Sequence, residues 1–232
     1  MNTKIRCSMY FGKPLSWKDK LKDHYNTVKG WDFKLFTDMD VEDGGNFEVI
    51  KMSMKEFSKF VSEKFGIDYD LHLTPKGPYP LSKHIYDLWP TQGVLFEGYH
   101  RGYKWWAHGC SDSIFGDIDS WLDYDFDIFG NDPNAICGPF SVYRNTPKIN
   151  NLFKEIPGWK QKLEGYCDTP MDEHDMTEVV RKAHSEGRVN FKSGFLQGHP
   201  DSKNITYKNG KVYDNNKEVM CFHFNRTKEW PI

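Results

Sequence analysis

In the middle of this chain an aromatic, apolar run ends abruptly in carboxylates: Tyr103-Lys-Trp-Trp-Ala-His-Gly-Cys-Ser-Asp112-Ser-Ile-Phe-Gly-Asp117-Ile-Asp119. The pattern reads as a buried strand that stops where aspartates begin. In an open α/β sheet, ligands bind just outside the carboxyl ends of strands. Carboxylate oxygens placed there suit a hard divalent cation, which in turn neutralises phosphates. Seven aspartates and no lysine or arginine lie between Asp112 and Asp132, an asymmetry that points to metal-assisted handling of a phosphorylated ligand.

The flanking segments support the α/β class. Ile5 to Phe11, Asp32 to Asp38 and Phe47 to Met52 read as short strands, with a lysine-rich helical stretch at residues 16–28. Ser53-Met-Lys-Glu56 has the form of a capping box opening a helix to about Phe65, stopped by Gly66. Leu73 to Pro80 reads as a loop, and Trp89-Pro90 is expected to break the helical stretch from Leu81 to Tyr99. Ala135 to Tyr143 reads as a buried strand, with Pro147 as a first helical residue. Asp172-Glu-His-Asp begins a helix reaching about Ser185. Asn209-Gly210 signals a hairpin, and Val219 to Phe224 a last strand. Strands alternating with helices argue for a largely parallel sheet, and with no linker or repeat the chain reads as one domain over residues 1–232.

Bulk properties narrow the function classes. With 232 residues and 38% hydrophobic content there is enough chain for one substantial core. A net charge of -2 disfavours general binding to nucleic acid or acidic membranes, although residues 1–35 carry eight Lys or Arg against three Asp. Five widely spaced cysteines without a Cys-x-x-Cys pair fit reduced thiols. No apolar run approaches the roughly 18 residues of a membrane span, and no leader is evident, so the expectation is a cytoplasmic protein, in host cytoplasm if viral.

Several short elements, in order, resemble small GT-A-type glycosyltransferase-like proteins of bacterial polysaccharide clusters and large DNA viruses. They are Tyr10-Phe-Gly12, Leu35-Phe-Thr-Asp38, Gly93-Val-Leu-Phe-Glu97 with Gly102-Tyr103, Ile114-Phe-Gly-Asp-Ile118, and Phe140-Ser-Val-Tyr-Arg-Asn-Thr-Pro147 with Asn150-Asn-Leu-Phe153. The resemblance implies a GT-A fold: a mostly parallel central sheet flanked by helices, with a C-terminal hairpin. It also implies a nucleotide-sugar, most simply a UDP-sugar, over the sheet's carboxyl edge. An Asp-x-Asp motif and a late histidine would hold Mn²⁺ or Mg²⁺ on its diphosphate. Here the motif's counterpart is Cys110-Ser111-Asp112, whose first position is a thiol, softer than those cations prefer. A second departure is Trp89 in Asp87-Leu-Trp-Pro90, where relatives commonly have lysine.

The implied metal ligands are Asp112 and His223, and the implied donor-binding set is Tyr10, Phe11, Gly12, Thr37, Asp38, Asp87 and Ser111. Tyr10 would stack on the base, while Thr37 and Asp38 would meet the nucleoside. Glu173 or Asp172, at a helix start, would serve as general base towards a hydroxyl acceptor. Each has a plainer reading: a turn aspartate for Asp112 and Asp38, a strand histidine for His223, a core aromatic for Tyr10, and helix-start carboxylates for Asp172 and Glu173. Asp117 and Asp119 read as caps, with Asp117 the better placed to support the metal site, and Asp123, Asp125 and Asp127 as an exposed face. The reading overall is metal-assisted glycosyl transfer to a glycan or other hydroxyl acceptor, a modified DNA base remaining open. The alternatives are a non-catalytic relative that binds nucleotide or glycan, and a metal-dependent nucleotidyl- or phosphoryltransferase.

Overall fold

Strand β1, Lys4–Tyr10, is the organising element, and its alternation assigns the two faces of the sheet. Ile5, Cys7 and Met9 join one buried cluster, while Arg6 and Ser8 point to the other side. The computed structural model describes residues 2–12, 15–71, 85–132, 136, 140–165, 169–194, 196–199, 202–224 and 230. The Leu73 to Pro80 loop and the beginnings of the Leu81 and Ala135 segments lie outside them.

Parallel to β1 on one side run β2 (Trp31–Thr37) and then β3 (Phe47–Lys51); on the other side runs β4 (Trp105–His108). The next strand, β5 (Ser113–Phe115), leaves this sheet. Beyond β4 come β7 (Ser141–Arg144), β6 (Ile128–Gly130) and β8 (Phe191–Ser193). The order is β3-β2-β1-β4-β7-β6-β8, and β7 alone runs antiparallel. This is the α/β class, with the mostly parallel sheet flanked by helices, that the sequence leads one to expect. Chain direction across the sheet reverses between β1 and β4, which opens a crevice at their carboxyl ends.

One face carries α2 (Met54–Phe65), α3 (Gln92–Leu95), α4 (Pro147–Asn150), α5 (Trp159–Leu163) and α6 (Met176–Ser185). The helix α2 starts with the full Ser53/Glu56 capping box and ends at Gly66, whose φ of 62° needs no Cβ. The other face is covered by α1 (Leu21–Thr27) and by C-terminal strands. These are β9 (Ile205–Lys208), β10 (Lys211–Asp214), β11 (Lys217–Val219) and β12 (Cys221–His223). Asn209 and Gly210, with φ of 54° and 77°, make the expected hairpin.

Three expectations need correction. No break occurs at Trp89-Pro90: a 3₁₀ turn over Tyr86–Thr91 passes through Pro90 and continues into α3. The proline removes one N–H, and the packing of the buried Leu88, Trp89 and Thr91 holds the turn together despite that loss. The last strand is two strands divided at Met220, because Met220 donates its N–H to Leu196 instead. Asp117 takes the N-cap position expected of it, ahead of a 3₁₀ turn, but makes no side-chain cap, and Asp119 lies inside the turn and does not cap it. Asp119 accepts from Lys4 Nζ at 2.6 Å, from Trp31 Nε1 at 3.1 Å and from the Tyr124 hydroxyl, so it fastens this stretch to β1 and β2.

Three histidines are held neutral in the core. Burial pushes His24, His100 and His108 down to about 3, with Arg6 adding to the effect at His24 and His108. His24 Nε2 accepts the Phe115 N–H at 2.9 Å, tying β5 to α1. Unfolding lets each histidine regain its ordinary affinity for protons, near 6.5. The stability they contribute is therefore complete above that value and is lost as pH falls towards 3, by roughly 1.4 kcal/mol per pH unit for each in the steep range. The urea midpoint is expected to drop between pH 7 and pH 5; equal midpoints would mean the three rings are solvated.

Candidate active site

The crevice at the carboxyl ends of β1 and β4 is a cavity of about 660 Å³. Its lining includes Tyr10 and Phe11 from the end of β1, and Gly109, Cys110, Ser111 and Asp112 from the loop after β4. Tyr86, Trp89, Trp17 and Phe224 add aromatic surface. Asp112 is the one carboxylate among the described lining residues. A mainly apolar pocket with a few convergent polar groups is the usual form of a small-molecule site.

Asp112 and His223 come together through strand pairing. The antiparallel pairing of β5 and β12 sets His223 opposite Ser113, and the Phe224 N–H donates to the Asp112 carbonyl at 3.0 Å. His223 Nε2 then lies 3.1 Å from Asp112 Oδ1, both side chains being partly exposed. Cys110 Sγ completes a trio whose ligand atoms all lie within 4.8 Å of one another. Sulfur, carboxylate oxygen and imidazole nitrogen converging in this way fit a divalent cation.

The loop that carries Cys110 is fixed from below. Arg6 is 1% exposed, and its guanidinium donates to the Gly109 carbonyl at 2.9 Å, to the Cys110 carbonyl, and to the Tyr25 hydroxyl at 3.1 Å. Its cationic centre lies 5.1 Å from the Phe115 ring centroid. An arginine in the middle of a strand ordinarily reads as a solvated side chain, so sequence reasoning missed it.

The remaining expected residues separate into two groups. Near the cavity, Asp38 is exposed and accepts from the Gly12 N–H at 3.2 Å, which joins the loops after β1 and β2. Burial, followed by the charges of Asp112 and Asp38, raises the Tyr10 hydroxyl. Thr37 is fully buried and its hydroxyl accepts from the Met39 N–H at 3.1 Å; it does not line the cavity. Asp87 is also fully buried and receives the Met171 N–H at 2.8 Å, an anchor and not a part of the cavity wall.

That anchor positions the helix-start carboxylates. Met171–Asp175 form a π-helical turn leading into α6, packed against the Tyr86–Thr91 turn. Asp172 is 3% exposed, and burial raises its carboxyl well above the usual aspartate range, with the charges of Asp87 and Glu173 adding to the effect. Glu173 is exposed. Tyr86, absent from the expected set, links the two halves. Burial and then the charges of Cys110, Asp112, Asp172 and Tyr10 push its hydroxyl up to about 12. Its ring centroid lies 4.7 Å from that of Trp89, which stacks on His108 at 5.1 Å.

Among the described residues no helix is long and apolar enough to cross a membrane. No curated protein sequence matches the chain significantly. Among solved structures it is similar to the galactosyltransferase LgtC, determined in complex with donor and acceptor sugar analogs. Identity is 11% and the TM-score 0.44, over 95% of this chain and 86% of that one. A family profile covers nearly the whole sequence, residues 7–229: the chain belongs to the family of unknown function DUF6625.

Proposed function

We propose that this protein is a glycosyltransferase that moves a sugar from a nucleoside-diphosphate carrier, most simply UDP, to a hydroxyl acceptor. The observation that carries the reading is the convergence of Cys110, Asp112 and His223 at the sheet's switch point, on an aromatic cavity large enough for a nucleotide. A divalent cation held by those residues would offset the charge that grows on the leaving diphosphate. The Tyr10 ring offers the base a stacking surface, and the exposed Asp38 beside it can accept from ribose hydroxyls or an imide N–H. Trp89 and Tyr86 give the sugar an aromatic wall.

In the chemical step the acceptor oxygen bonds to the anomeric carbon as the bond from that carbon to the diphosphate oxygen breaks. The electron pair leaves with the diphosphate. The acceptor's proton goes to a carboxylate, for which Asp172 is the candidate. It is not itself among the described lining residues, but its turn packs against Tyr86–Thr91, which gives the cavity Tyr86 and Trp89, and burial raises its proton affinity. Cys110, where a second carboxylate would be usual, favours one other reading, a protein that binds the nucleotide without turning it over.

Calorimetry and a transfer assay separate the two. UDP is expected to bind about tenfold or more tightly with Mn²⁺ or Zn²⁺ present than with a chelator, because a cation held by Asp112 would neutralise the diphosphate. His223→Ala is expected to reduce that enhancement without lowering the thermal midpoint. Equal UDP affinity in both conditions removes the cation from the reading. Enhanced binding with neither transfer nor slow hydrolysis of any UDP-sugar leaves the non-catalytic alternative.

A further inference from the structure

We propose that the Cys110–Asp112–His223 site is built for a borderline, sulfur-accepting divalent metal such as Zn²⁺, with the Cys110 thiolate as a direct ligand, and not for Mg²⁺ or Mn²⁺. The inference rests on the reading above only in taking these three residues as the cation site.

The donor set is the first argument. Mg²⁺ and Mn²⁺ favour oxygen donors, and Mg²⁺ seeks six in a near-ideal octahedron. The described wall of the cavity offers a single carboxylate, Asp112. One thiol, one carboxylate and one imidazole instead match the ligands of catalytic zinc sites, in which three protein groups leave a fourth position for water or substrate. Here the remaining side is the cavity itself, which Cys110 and Asp112 both line.

Spacing is the second argument. Ligand atoms around one tetrahedral zinc lie roughly 3.5 Å apart, given bonds of about 2.0–2.3 Å. The trio lies within 4.8 Å, so side-chain rotation is enough to close it. Arg6 fixes the loop backbone beneath the site through the carbonyls of Gly109 and Cys110. Among the described cysteines Cys110 is also distinguished by its position: Cys7 and Cys221 are buried, whereas Cys110 is half-buried beside the other two ligands. On binding, the thiol gives its proton to solvent and the sulfur lone pair forms the bond to the metal.

The test uses the whole chain, stripped with a chelator and titrated separately with Zn²⁺, Co²⁺ and Mn²⁺, in the unmutated protein and in Cys110→Ser and Cys110→Asp. Zn²⁺ exceeds Mn²⁺ at almost any site of this kind, so the ratio alone decides nothing. The dependence on Cys110 does. One equivalent of Co²⁺ is expected to produce a sulfur-to-cobalt charge-transfer band in the near ultraviolet that Cys110→Ser abolishes. That substitution is expected to weaken Zn²⁺ by about tenfold or more while changing Mn²⁺ little, and Cys110→Asp to tighten Mn²⁺. A Co²⁺ complex of the unmutated protein with no such band overturns the proposal, and requires no variant to fold. A band that persists in Cys110→Ser overturns it as well. In both cases a metal enhancement of UDP binding that depends on Asp112 and His223 would leave the functional reading standing. If no divalent cation binds at all, both fall together.

Discussion

Asp112→Ala is expected to lower sugar transfer by about three orders of magnitude, the scale of losing the main electrostatic contact to a leaving group. The carboxylate is the one acidic group among the described residues of the cavity wall, and it accepts directly from His223 at 3.1 Å. Its loss would remove a proposed cation ligand and the hydrogen-bond partner of the histidine. The fold should survive, because the Phe224 N–H bonds the backbone carbonyl of residue 112, which alanine keeps. A far-ultraviolet spectrum and thermal midpoint close to those of the unmutated protein are expected beside the lost turnover. Cys110→Asp tests the same point from the other side. If the Cys110→Asp/Asp112→Ala double variant were fully active, the cation would have to be held elsewhere.

Asp172→Asn should separate chemistry from stability. If Asp172 is the base, transfer slows by about two orders of magnitude or more while UDP affinity is retained. The thermal effect runs the other way. The folded chain holds the Asp172 proton to higher pH than the unfolded chain does, because burial disfavours its charge. Its contribution is therefore most favourable at low pH and declines as pH rises from the ordinary aspartate range through the raised value. An amide imitates the protonated form at every pH. The variant is expected to melt at a higher temperature than the unmutated protein near pH 8, and at about the same temperature near pH 4. A raised midpoint with undiminished transfer would make Asp172 a packing residue. Glu173→Gln, at an exposed position, should change transfer little; a large loss there would move the base one residue along.

The parts of this arrangement that were legible in the sequence are those set by local chemistry. The Ser53/Glu56 capping box, the stop at Gly66 and the Asn209-Gly210 turn each need only a few adjacent residues, and all are present. Asp112 was visible because it follows an apolar run, and His223 only through the family resemblance, although nothing local says that they touch. The strands β6 and β8 escaped notice because three residues carry no readable period. Thr37 was misplaced by geometry: it ends its strand, but its hydroxyl turns back to the Met39 N–H. Arg6 and Tyr86 were missed for a different reason. Their roles come from what lies across the fold, a pair of loop carbonyls in one case and the field of four distant groups in the other.

The pairing of β5 with β12 also bears on when the protein becomes competent. Asp112 and His223 are 111 residues apart, and the contact between them depends on the pairing of β5 with the distant strand β12. During synthesis the parallel strands β1, β2 and β3 and the aspartate loop can form long before residue 223 leaves the ribosome. Until then Asp112 has no histidine beside it and the lower face of β5 lacks its partner. A ribosome-bound chain halted before Cys221 is expected to hold most of the sheet but no complete cation site. Strand β12 would thus act as a timer that keeps the proposed metal-binding trio incomplete until residue 223 has been made.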